Sequence, residues 1–181
     1  RRDAGGRIVG AGLVSARAVP MDNAGVPELT FARQVFRVSA AADAAGLEAL
    51  AARLASRLSP AIGDANRFAV QCWVPDTDAA NRLTPQSRAL ERLVGTALAG
   101  LRPHARTTEA SLLARSGQPI VQVCLVTATS AAAGAVRGEL AFSLAPGGRA
   151  RAKVRSGAPS RAAHKLEEAL AWLGLEPGAG E

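Results

Sequence analysis

The apolar positions of this chain follow two kinds of pattern, one recurring every three to four residues and one alternating or running unbroken. The first spacing lines one face of a helix, and the second marks a strand. DAAGLEALAARLASRL (Asp43 to Leu58) sets Leu47, Leu50, Leu54 and Leu58 on one face. It predicts a helix that ends at Ser59-Pro60, because proline lacks the N–H the next turn needs. A second helix is predicted after Leu83-Thr84-Pro85, with Thr84 as cap and Pro85 in the first turn. Its apolar stripe is Leu90, Leu93, Val94, Ala97, Leu98 and Leu101. A short helix is expected over TTEASLLAR (Thr107 to Arg115).

The strand-like stretches lie between these. RIVGAGLVSARAV (Arg7 to Val19) is β-branched and partly alternating, and the turn-rich PMDNAGVPE (Pro20 to Glu28) ends it. LTFARQVFRV (Leu29 to Val38) alternates and reads as an extended segment leading into a strand. RFAVQCWV (Arg67 to Val74) is a buried strand closed by Pro75-Asp76. PIVQVCLVTAT (Pro119 to Thr129) is the strongest strand, with GAVRGELAFSL (Gly134 to Leu144) as its antiparallel partner across an alanine-rich turn. After the linker APGGRARAKVRSGAPS (Ala145 to Ser160) a last helix is predicted, capped by Ser160, with Leu166, Ala169, Leu170 and Leu173 on its apolar face. Strands alternating with helices imply an α/β sandwich, a mixed sheet on one side and helices on the other.

A hydrophobic content of 48% in 181 residues excludes a disordered chain and allows a proper core, built from Ala, Leu and Val because aromatics make up only 3%. No apolar run approaches the length that crosses a bilayer, and no signal-peptide pattern opens the sequence, so a cytoplasmic protein is expected. The start without methionine and the turn-rich ending GLEPGAGE (Gly174 to Glu181) lead to the expectation that the chain is cut at both ends. Cys72 and Cys124 lie inside apolar runs and are read as reduced core thiols; with His104 and His164 isolated, no metal ligand set is expected.

The motifs of several enzyme classes are absent. There is no GxxxxGK followed by Ser or Thr, no GxGxxG behind a strand, and no GxSxG. The net charge of +7 is the larger signal: all basic residues but Lys153 and Lys165 are arginines, which fork onto phosphates and stack on bases. Between Glu139 and Glu167 no acid occurs, and Arg149, Arg151, Lys153, Arg155, Arg161 and Lys165 all fall there. Alternation of the first four suits one side of an extended strand, a phosphate ladder; the same run also suits a solvated linker. Lys165 itself, followed by Glu167 and Glu168, reads from these residues alone as a surface lysine of an ordinary amphipathic helix.

SRAAHKLEEAL (Ser160 to Leu170) resembles the SRxxxKLxE segment that opens the catalytic domain of ribosomal-RNA 2′-O-ribose methyltransferases. LTFARQVF (Leu29 to Phe36), FAVQCWVPDT (Phe68 to Thr77), PIVQVCLV and the APSR junction are similar to the bacterial branch acting on a cytidine ribose of 23S rRNA. The resemblance runs from about Arg7 to Glu181. It implies a remnant of a ferredoxin-like unit over residues 1–28, a THUMP-like RNA-binding domain over 29–144, a basic linker over 145–159, and the start of a Rossmann-like methyltransferase domain over 160–181. It further implies that Lys165 belongs to a Lys-Asp-Lys-Glu tetrad at the ribose hydroxyl, with S-adenosylmethionine as cofactor of the intact protein and 23S rRNA as partner. Arg33, Arg149, Arg151, Lys153, Arg155 and Arg161 are the candidate RNA contacts. The other tetrad members and the cofactor loop do not occur in these 181 residues, so the chain alone is expected to be inactive and to bind no S-adenosylmethionine. The alternative is a stand-alone RNA-binding module, and a third reading is an α/β scaffold whose basic charge is compositional.

Overall fold

The computed structural model describes residues 7–10, 13–15, 34 and 36–148. The described residues belong to one compact unit that runs to Gly148. Two short strands, β1 (Arg7–Gly10) and β2 (Leu13–Ser15), pair antiparallel. One strand was expected across both. Gly10, which ends β1, is a turn former that outranks the β-branched run around it.

The main body is a five-stranded mixed sheet with helices on one face. Its elements are β3 (Ala40–Asp43), α1 (Leu47–Ile62), β4 (Arg67–Trp73), α2 (Asp78–Asn81), α3 (Thr84–Leu101), β5 (Arg106–Thr107), β6 (Pro119–Thr127) and β7 (Ser130–Arg137). The strand order is β3-β7-β6-β4-β5. β4 runs parallel to both β5 and β6, whereas β7 is antiparallel to both β6 and β3. The α/β class and the mixed sheet are as the sequence pattern implied.

Alternation along β4 and β6 sends Phe68, Cys72, Val121, Val123 and Leu125 into a core with Leu50, Leu54, Leu58, Leu90, Val94 and Leu98 of the two long helices. Each of those six helical side chains is 0% exposed, worth about 1.5–3 kcal/mol apiece relative to exposure. β7 and β3 meet the same core with Ala131, Ala133, Ala40 and Ala42. These alanines explain two corrections. The strand that residues 29–38 were expected to lead into is the edge strand Ala40–Asp43, which takes Asp43 from the predicted helix, and the alanine-rich stretch expected as a turn lies inside β7, which begins at Ser130. Alanine has weak strand preference, but Ala40, Ala42, Ala131 and Ala133 are buried in the core with α1, so packing overrides propensity.

α1 also starts later and runs further than its leucine spacing suggested. It continues through Pro60 to Ile62, which is 2% exposed. A proline in the last turn removes a single hydrogen bond, and burial of Ile62 offsets that. The helix stops at Gly63, whose φ of 54° is the left-handed backbone that glycine adopts at no cost; its N–H donates to the Pro60 carbonyl. Thr84 is the first residue of α3 rather than its cap, and its hydroxyl donates to the Asn81 carbonyl. Leu101, counted in the apolar stripe, is 51% exposed. The short helix expected at 107–115 is split: Arg106–Thr107 join the sheet as β5, and Ala110–Leu113 form a 3-10 turn.

The opposite face of the sheet is covered by irregular chain. Ala69 and Ile120 pack there with Leu113, Leu144, Ala141 and Val136. The segment ahead of β3 crosses β7 at Gly134, where a Cβ would collide with the Arg37 carbonyl. Only glycine permits that approach.

Candidate nucleic-acid interface

Between residues 36 and 148 the chain carries eleven arginines and eight acids. Among the described residues one ion pair forms, Arg137 with Glu139 at 3.4 Å, both exposed. Six of the other charged residues are arranged by the fold in three different ways.

Two arginines close one edge of the sheet. Arg53 and Arg57, one turn apart on α1, donate through their guanidinium groups to the carbonyls of Asp43 and Ala41 in β3. The helical spacing of four residues matches the strand spacing of two, so both outward carbonyls are satisfied. On the far side β5 is only two residues long and leaves most of β4 unpaired. There the carboxylate of Glu91, on α3, accepts the backbone N–H of Cys72 at 2.8 Å. Burial holds the Glu91 carboxyl above its ordinary range, while that N–H and the nearby Arg88 pull it down. Both edges are thus occupied by charged side chains where another strand would otherwise pair.

Arg102 is also committed in part. Its Nε donates to the Ser59 carbonyl and hydroxyl at 3.1 and 2.8 Å, tying the end of α3 to the end of α1.

Arg67 and Arg106 are placed differently. They are register partners across the parallel β4–β5 pair, and both are exposed. Phe68 points into the helical core and Thr107 packs toward Gly95 of α3. Alternation therefore sends both arginines to the sheet face that carries no helix. Their backbone N–H groups donate to Gln118 and Asn66, but neither guanidinium has a hydrogen-bond or ion-pair partner among the described residues.

On that helix-free face, Gln71 and Gln122 sit side by side in register, 2% and 0% exposed. Gln71 donates to the Leu144 carbonyl, whereas its own amide oxygen and both polar atoms of Gln122 have no partner among the described residues. Sequence reading passed over these glutamines, although each stands in an otherwise apolar strand as Val-Gln followed closely by Cys. Beside them, along the open edge of β4, a shallow groove of about 340 Å³ is lined by Gln71, Glu91, Thr107, Thr108, Glu109 and Leu144, among others.

The cysteines are core thiols, as their apolar runs implied. Both are free and buried. Desolvation pushes the Cys72 thiol far up, with Glu91 and Cys124 adding to it, and raises Cys124 to about 12, so neither is a nucleophile at neutral pH. His104 is exposed, 3.4 Å from the Gly63 carbonyl. Among the described residues no group of three or more His, Cys, Asp or Glu is placed to hold a metal ion. None of the helices there is long and apolar enough to cross a membrane.

The residues singled out from sequence, Arg33, Arg149, Arg151, Lys153, Arg155, Arg161 and Lys165, lie outside the described residues, as do the last helix and most of residues 1–28. No family model and no curated protein matches the chain.

Proposed function

We propose that this chain is the RNA-capturing N-terminal portion of an S-adenosylmethionine-dependent 23S rRNA ribose 2′-O-methyltransferase, with residues 29–144 as its THUMP-like domain. The observation that carries this reading is the segment PSRAAHKLEEAL, which sets Lys165 in a SRxxxKLxE frame downstream of a FARQVF strand segment. Two further features support it. Residues 36–148 hold a mixed α/β sheet of the kind the proposal requires, and the chain carries net positive charge with a tract free of acids beside the proposed catalytic start.

In this reading the arginines supply sequence-independent phosphate contacts, and RNA shape sets the choice of substrate. Lys165 positions the ribose 2′-hydroxyl and helps to remove its proton, a role open to lysine where burial and neighbouring cations lower its pKa. S-adenosylmethionine supplies the methyl group in the intact enzyme. The described residues do not fit that cofactor: the groove beside β4 presents the carboxylates of Glu91 and Glu109 and no glycine-rich turn from strand to helix.

The test is Lys165→Ala in the intact protein. Methyl transfer should be lost while RNA affinity stays within about twofold, the pattern of a group used in the transition state alone. Normal turnover by the variant removes Lys165 from the chemistry. RNA binding without any methyl transfer by the unaltered intact protein favours the stand-alone RNA-binding module instead.

A further inference from the structure

We infer that Arg67 and Arg106 form a two-pronged clamp for a backbone phosphate of RNA, a contact point on the sheet separate from Arg33 and the 149–161 tract. The inference rests on the RNA-capturing reading above and specifies where the described unit contributes to it.

The argument starts from a cost. Directly opposed residues on neighbouring strands bring their side chains together, because the strands lie only about 4.8 Å apart, and like charges in that position are destabilising. A parallel sheet edge offers two such positions here, Arg67↔Arg106 and Phe68↔Thr107. The second pair faces the helices, with Phe68 buried in the core and Thr107 exposed beside Gly95. The first pair, turned outward, consists of two arginines.

Among the described residues nothing offsets their repulsion. The closest acids in sequence, Asp64 and Glu109, make no ion pair with either residue, and among the described residues no side chain or carbonyl accepts from the guanidinium groups. Arg37, Arg82, Arg88, Arg92 and Arg115 also keep open forks among the described residues, but none of them opposes another arginine across neighbouring strands, and four further arginines are committed. Arg53 and Arg57 are spent on strand carbonyls, Arg102 on Ser59, and Arg137 on Glu139. Arg67 and Arg106 are held at the backbone instead, by the Gln118 side chain and the Asn66 carbonyl. Their roots are fixed and their forks are left open. Two open guanidinium forks rising from adjacent strands match a phosphodiester, a monoanion whose two non-bridging oxygens accept paired N–H donors. A local rule broken at a rigid site, with no structural return, is where function is expected.

The experiment compares the full chain with the R67Q/R106Q variant and with an R88Q/R92Q control that makes the same charge change on the exposed face of α3. The probe is a labelled RNA stem-loop of about 20 nucleotides, titrated from 50 to 300 mM salt. The clamp predicts that R67Q/R106Q binds about tenfold more weakly at low salt and lowers the salt slope by about one to two, whereas the control changes little. It also predicts an equal or higher urea midpoint for R67Q/R106Q, since like-charge repulsion is relieved. Wild-type affinity and slope in R67Q/R106Q, or a loss matched by the control, overturns the clamp while leaving RNA capture standing. A lowered urea midpoint assigns the pair a structural role and overturns it as well. Failure of the unaltered chain to bind the stem-loop in a salt-dependent way overturns both the clamp and the RNA reading.

Discussion

Phe36 and Trp73 meet edge to face, with ring centroids 5.3 Å apart and planes at 86°. Phe36 belongs to the segment that enters the sheet ahead of β3, and Trp73 is the last residue of β4. From the other end of the unit, Gly147 lies so close that a Cβ there would press on the Trp73 ring at 3.0 Å. One indole therefore touches both the incoming and the outgoing chain. Phe36→Ala should lower stability by about 1–2 kcal/mol, the worth of an aromatic pair plus part of its buried area. Urea unfolding followed by Trp fluorescence checks this, and a native-state emission already shifted to the red would show the indole newly exposed. An unchanged midpoint would mean that the ring pair is incidental.

Glu91 gives a pH dependence of unusual sign for an acid that accepts a hydrogen bond. Desolvation is the largest influence and raises its carboxyl above the ordinary 4.5. The charged form is then disfavoured by folding, so the penalty is absent below about pH 4.5 and grows as pH rises through the elevated folded value. Glu91→Gln keeps an acceptor for the Cys72 N–H and removes the charge. It should match or exceed the parent protein in stability at pH 7, with the difference fading toward pH 4. Glu91→Ala leaves a backbone N–H unpaired and should cost about 1–2 kcal/mol at both pH values. Thermal or urea melts of the three proteins at pH 4, 5.5 and 7 decide it; a Gln variant weaker than the parent only at pH 7 would reverse the sign argued here.

Arg53 and Arg57 make a prediction about solubility. Replacing both by alanine frees the outward carbonyls of Asp43 and Ala41 and strips the charge from the β3 edge. The variant should keep its circular dichroism spectrum yet self-associate at concentrations where the parent is monodisperse, as seen by light scattering. Retained monodispersity would show that the alanine-rich strand is too short to template pairing.

The α/β class, β4, β6 and the two leucine-striped helices were legible because each is a long stretch with one dominant period. What was missed is short or built from small residues. β3 has the sequence AAAD: a strand was expected to follow residues 29–38, but its place is set by burial of Ala40 and Ala42 in the core rather than by any preference of alanine. β5 is two residues long and exists because Arg106 and Thr108 find carbonyls on Asn66 and Phe68. α2 is a single turn whose cap, Thr77 accepting from the Ala80 N–H at 3.1 Å, was present in the sequence but followed by no periodicity. The basic tract was visible as charge alone, whereas the Arg67–Arg106 pairing depends on a register that joins residues 39 positions apart and has no local signature. Gln71 and Gln122 were hidden by their surroundings: in VQC and VQVC the apolar neighbours drew the attention that the amides required.

The double contact on Trp73 has a mechanical consequence. Load applied through the chain at residues 36 and 148 would be taken first by two strips of irregular backbone lying across one side of the sheet, held at the indole and at the Gln71–Leu144 hydrogen bond. Those strips would peel before any strand of the central β7-β6-β4 set parted, since the ladder bonds there share tension in parallel. The unit would yield in two steps, a low-force opening at the tryptophan and a high-force rupture of the sheet, so a neighbour pulling on either end could bare Gln122 and Gly134 while the five strands stayed whole.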